Sequence, residues 1–153
     1  MALEKLAIER GISLVCPDGE LPQGYRHRAR LSIRQFAGRG RAGLFEARSH
    51  QLIPIPQCEL HHPKINQGIA VLEDVMTDFS AYDEAPHRGL LKGAQFVVGQ
   101  QSQSIQIALE VNAPPMEVSV LKGRGVLTDL ARRLQTTQMF ESLLFSHQTA
   151  RTN

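Results

Sequence analysis

Tryptophan is absent from this 153-residue chain, and only two tyrosines and two cysteines occur. Two thiols, Cys16 and Cys58, can build neither a disulfide framework nor a four-cysteine metal site. No stretch approaches the roughly 18 uncharged apolar residues of a membrane span. The first residues, M-A-L-E-K-L-A, are charged and helically spaced, which is not the pattern of a secretory signal. These absences make the cytoplasm the expected compartment. A disordered tail is excluded as well, because 42% apolar and 21% charged residues are the proportions of a folded domain. At this length a single domain buries about two-thirds of the surface its unfolded chain exposes.

What the chain has in excess is arginine, and it is concentrated. The overall net charge is only +2. Residues 24–50 nevertheless hold seven arginines, at 26, 28, 30, 34, 39, 41 and 48, against the single acid Glu46. Arginine outnumbers lysine 13 to 4. Guanidinium forks pair with phosphate oxygens and stack on bases in a way that a lysine point charge does not. A basic block in an otherwise slightly acidic chain fits a polyanion-facing surface. Two bland readings stand beside it: arginines that simply solvate one sheet face, and an arginine face that docks an acidic protein.

Hydrophobic periodicity gives the organisation. Over 25–36 the period is two. Ala29, Leu31 and Ile33 fall on one side, and Arg26, Arg28, Arg30, Ser32 and Arg34 on the other, which predicts a long strand. A turn at 38–40 predicts a hairpin with a returning strand over 42–46. Prolines 54 and 56 mark residues 51–55 as an edge strand. Ile65, Ile69, Leu72, Met76 and Phe79 then recur at helical steps, with Pro63 in the first turn. Strands over 88–98 and 104–111, a helix over 126–134 and a strand over 139–145 complete the chain, after a first helix over 2–10. The sum is α+β: a mostly antiparallel sheet with two or three helices packed on it, in one domain.

Same-face side chains on a strand stand about 6.6–6.8 Å apart, so Arg26, Arg28 and Arg30 can address successive phosphates of an extended backbone. Tyr25 beside them offers a stacking platform. Catalytic constellations are missing: no G-x-S-x-G occurs, and the G-x-G-x-x-G match over 38–43 joins two strands where a cofactor site needs a helix. Cys58, His61 and His62 are metal-ligand types, but they lack a second ligand pair and read as a buried thiol beside solvent-facing histidines. Glu73, Asp74 and Asp78 fall on the polar side of their helix and are expected to be solvated. The expected site is therefore RNA-binding alone, with no catalytic, cofactor or metal residues: Tyr25, Arg26, Arg28, Arg30 and Arg34, assisted by Arg39, Arg41 and Arg48.

Three stretches carry a family resemblance: G-Y-R-H-R-A-R-L-S-I-R over 24–34, A-G-L-F-E-A-R-S-H over 42–50, and I-P-I-P-Q-C over 53–58. They resemble the bacterial RNA (uracil-5-)-methyltransferases, which use S-adenosylmethionine to make 5-methyluridine in tRNA or 23S rRNA. The resemblance is specific over residues 24–66. It implies the central RNA-recognition domain of such an enzyme, with tRNA or rRNA as partner. The family's Rossmann-like module carries the cofactor loop, a nucleophilic cysteine and a basic glutamate, and none of these is found before Asn153. The chain is thus expected to be a fragment or natural truncation, inactive by itself and without a cofactor of its own. Many members also hold an iron–sulfur cluster on four cysteines. Cys58 resembles the last of these ligands, Cys16 is at most one other, and no cluster is expected.

Overall fold

The structure, a computed structural model, describes residues 23–79, 81–83, 87–112 and 125–147. The helix expected over 2–10, and Cys16, lie outside the described residues. Strand β1 (Arg28–Phe36) and β2 (Arg39–Phe45) form a hairpin, and β3 (Leu52–Pro54) adds a short edge. Helix α1 (Pro63–Val75) runs into a 3-10 turn, Met76–Asp78. Strands β4 (Leu91–Val98) and β5 (Ile105–Val111) follow, then helix α2 (Val126–Thr136) and strand β6 (Ser142–His147). The six strands make one sheet in the order β3-β2-β1-β4-β5-β6. Every neighbouring pair is antiparallel except β5 and β6. A parallel pair needs a long crossover, and α2 lies within that connection. The class is α+β, as the sequence predicts.

Alternation decides what is inside. Ala29, Leu31 and Ile33 on β1, Ala94, Phe96 and Val98 on β4, and Ile105, Ile107, Leu109 and Val111 on β5 are all buried. They form one core with Ile65, Ile69, Leu72 and Met76 of the α1 seam and Leu127, Leu130 and Leu134 of α2. Both helices therefore lie on one side of the sheet, and the other side is left to Arg28, Arg30 and their neighbours. Gly68 explains how closely α1 approaches: a Cβ there would stand 2.9 Å from Ile105 Cδ1 and 3.3 Å from ring atoms of Phe96 and Phe140.

Some boundaries differ from those predicted, each for a backbone reason. The strand expected from residue 25 begins at Arg28, because Gly24 and Arg26 donate their N–H groups to the carbonyls of Glu59 and Leu60. The hairpin turns at Ala37 and Gly38, both with positive φ (49° and 79°), so Arg39 already opens β2 opposite Phe36. Strand β4 starts late because Asp83 and Arg88 exchange both backbone hydrogen bonds in a turn before it. The last strand starts at Ser142 and not at 139; Gln138 is left-handed there (φ 53°), and Glu141 N–H bonds to the Ile105 carbonyl.

Gly43 sits where β3 meets β2, and a Cβ there would lie 2.1 Å from the Ile53 carbonyl oxygen. Backbone cannot move aside as a side-chain tip can. Gly43→Ala is expected to cost roughly 1–3 kcal/mol, the usual scale for overpacking, with urea unfolding as the measurement.

Candidate nucleic-acid interface

Arg28 and Arg30 stand on the helix-free side of β1, and Arg26 just precedes the strand. Arg26 and Arg28 are exposed. The Arg26 guanidinium carbon stands 5.9 Å from the centre of the Tyr25 ring, and Tyr25 is 50% exposed. Arg30 is exposed too, but its Nη2 bonds to Glu110 Oε1 across the intervening strand β4. Exposed pairs of this kind contribute only about 0–1 kcal/mol, so a phosphate oxygen can replace that carboxylate at small cost.

Arg34 is the correction. Alternation puts it in line with Arg28 and Arg30, yet it is only 7% exposed. Its Nη1 donates to the carbonyls of Ile33 (2.8 Å) and Lys92 (3.0 Å). Its guanidinium carbon lies 5.0 Å from the Phe45 ring centre and 4.9 Å from that of Tyr82. The Lys92 ammonium stands 4.6 Å from the same Tyr82 ring. A nucleic acid lying on β1 would therefore meet Arg26, Arg28 and Arg30 before it met Arg34. Sequence reasoning missed the two aromatic rings that cover it, Phe45 and Tyr82. One signal was available: Lys92 and Gly93 interrupt an apolar run, and the β4–β5 register shifts there, between Leu91 and Gly93.

The remaining arginines are dispersed. Arg39 is exposed at the hairpin tip, eight strand steps or about 26 Å of β1 from Arg28. Arg48 is exposed in the β2–β3 turn, where its φ is 61°. Arg41 is half-exposed and ion-paired: its Nη1 bonds to Glu73 Oε2 at 2.5 Å, and Glu73 Oε1 also accepts the Ala42 N–H at 3.0 Å. Glu73, expected to be solvated, has a side chain only 9% exposed, and it ties α1 to β2. The seven arginines thus resolve into an exposed row at 26, 28 and 30, two exposed outliers at 39 and 48, one ion-paired side chain at 41 and one buried structural cation at 34.

At the N-terminus of α1 a cavity of about 860 Å3 is lined by Gly24, Cys58, His61, His62 and Asn66, among others. His62 Nδ1 accepts the Lys64 N–H at 3.2 Å and caps the helix, and its ring lies 5.0 Å from that of His27. Asn66 exchanges hydrogen bonds with the Cys58 backbone at 3.2 and 3.0 Å. His61, read from the sequence as solvent-facing, is buried. Burial lowers its pKa from the usual 6.5; Asn66 opposes the shift and the Arg26 charge adds to it. Among the described residues no three metal-ligating side chains gather. With one thiol and an inward-turned imidazole, this donor set does not fit an iron–sulfur cluster.

No family model matches the chain. Curated relatives do, and they are named RNA methyltransferases. One from Protochlamydia amoebophila is 36% identical over 124 residues, covering 76% of this chain and 31% of that protein. One from Enterococcus faecalis is 35% identical over 88 residues, covering 56% and 19%. The fold is that of a solved Pyrococcus abyssi tRNA (uracil-54, C5)-methyltransferase, described in complex with S-adenosyl-L-homocysteine. The two align with a TM-score of 0.68 at 17% identity, over 98% of this chain and 33% of that one. The chain is a relative of the RNA methyltransferases. Among solved structures, the neighbour that shares its fold is named a tRNA uracil-C5 methyltransferase. The chain spans about a fifth to a third of the length of these two curated relatives.

Two outcomes follow from this geometry. Arg34→Ala, which strips a buried cation from two carbonyls and two rings, is expected to destabilise by about 1–3 kcal/mol, against no more than about 0.5 for the exposed Arg28→Ala; thermal melts of both variants check the contrast. Stability is also expected to fall on acidification. His61 holds its proton less tightly folded than unfolded, so as the pH drops below 6.5 the unfolded chain takes up the proton first and gains. Above 6.5 the ring is neutral in both states and the penalty is gone. Urea unfolding from pH 8 to 5 should give a shallower acid-side loss for His61→Gln than for the parent.

Proposed function

We propose that this chain is an RNA-gripping central segment of an S-adenosylmethionine-dependent RNA (uracil-5-)-methyltransferase, with tRNA or rRNA as partner. The observation that carries the reading is the row of exposed arginines on the helix-free side of β1, with Tyr25 at its start. In this reading Arg26, Arg28 and Arg30 contact successive backbone phosphates, Tyr25 stacks on a base, and Arg39 and Arg48 add charge at a distance. Arg41 and Arg34 support the surface from within. The kinship to named RNA methyltransferases favours RNA over an acidic protein as the polyanion.

S-adenosylmethionine would supply the methyl group in such an enzyme, and the structural neighbour was solved with the corresponding product, S-adenosyl-L-homocysteine. No transfer step is assigned to the described residues.

Each phosphate contact on single-stranded RNA contributes about −0.7 to the slope of log affinity against log salt. Replacing Arg26, Arg28 and Arg30 together by alanine should flatten that slope by roughly 2. Fluorescence titration of a uridine-containing stem-loop across salt concentrations measures it. An unchanged slope in a folded triple variant would place the RNA grip elsewhere, and selective capture of acidic proteins with no RNA affinity would overturn the reading.

A further inference from the structure

Beside the buried Arg34, on the side of the sheet without helices, lies a second cavity of about 410 Å3. That volume falls in the range of roughly 300–1,000 Å3 typical of small-ligand sites. Its lining includes Arg34, Phe36, His50, Gln51, Tyr82 and Asp83. We infer that this cavity receives one unpaired nucleotide of the bound RNA. The inference rests on the RNA-gripping reading and gives it a second, base-directed contact.

The parts match what recognition of an unstacked nucleotide requires. Such bases are held by an aromatic face, by amide groups at their edges and by cations near the flanking phosphates. Phe36 supplies a ring that is 44% exposed, one strand repeat beyond Arg34 on the same side of β1. Gln51 is exposed and presents a side-chain amide, which donates and accepts. The backbone of Gln51 is held at both ends, because its carbonyl accepts the Glu46 N–H at 2.9 Å and its own N–H bonds to Ser49 Oγ at 2.9 Å. His50 packs edge-on against Phe45 with ring centres 6.1 Å apart. Arg39 stands directly opposite Phe36 across the hairpin and is exposed, so it is placed for a phosphate flanking the bound nucleotide.

Arg34 forms the floor. Its guanidinium is locked by two carbonyls and two aromatic rings. Its positive charge is therefore fixed before any ligand arrives, and it favours an electron-rich base edge without spending side-chain entropy on binding. The burial that removes Arg34 from the exposed arginine row is what makes it useful to the cavity. RNA that lies along Arg28 and Arg30 and continues up β1 reaches the Arg34 floor about 20 Å beyond Arg28.

The test uses two RNA hairpins, one with a single unpaired nucleotide and one with that nucleotide deleted, titrated against the parent chain and against Phe36→Ala, Phe36→Tyr, Gln51→Ala and Arg28→Ala. The parent should prefer the bulged hairpin roughly tenfold, the scale of one base stacked on an aromatic ring. Phe36→Ala and Gln51→Ala should each move the two affinities toward equality, with affinity for the paired hairpin unchanged. Phe36→Tyr keeps a ring and should keep the preference. Arg28→Ala should weaken both hairpins alike. Retention of the preference in folded Phe36→Ala and Gln51→Ala overturns the nucleotide site while leaving the RNA grip standing. A parent that binds neither hairpin overturns both.

Discussion

Burial of Ala29, Leu31 and Ile33 beneath the two helices is the constraint on which the surface depends. A strand has a side-chain period of two, so a slip of one residue would turn those apolar groups to water and the arginines into the core. Packing thus holds the register, and the register holds Arg28 and Arg30 on the far side. The charged surface needs no fixing interactions of its own. It is the necessary reverse of a well-packed face, and exposed positions of this kind can be retuned without loss of the fold.

Arg34 breaks the pattern in an informative way. It occupies an outward position by alternation, yet the sheet is covered there by Phe45 and Tyr82. A cation under such a cover is tolerated because two carbonyls accept hydrogen bonds from it and two ring centres stand about 5 Å from its guanidinium carbon. The molecule therefore has a principal core between sheet and helices and a small aromatic cluster on the opposite side. The surface changes along β1 from an open row of charge to a shaped cavity.

Much of this was legible in the sequence. The alternation over 28–34, the hairpin, the α1 seam from Ile65 to Met76 and the proline-bounded edge all appear where local period and turn chemistry act. The kinship was legible in the residues around the arginine strand. What local pattern could not give were the partners brought in from a distance. Glu73 looks solvated in a helix until β2 supplies Arg41 and the Ala42 N–H. His61 looks exposed until residues 24–26 fold back along 59–62. Arg34 looks like its neighbours on β1 until Tyr82 arrives from another connection. Each miss is a long-range contact overriding a correct local reading.

The parallel pairing of β5 with β6 bears on how the chain acquires its shape. In the hairpin of β1 and β2, Phe36 meets Arg39 three positions away. At the other end of the sheet Gln106 must find Ser142, with α2 formed between them. Closing so long a loop costs more chain entropy than closing a turn, and pairings of this kind are slow. The arginine strand and its hairpin can thus be organised while the far edge is still open. Docking of α2 and β6 closes the core at the edge of the sheet away from that hairpin.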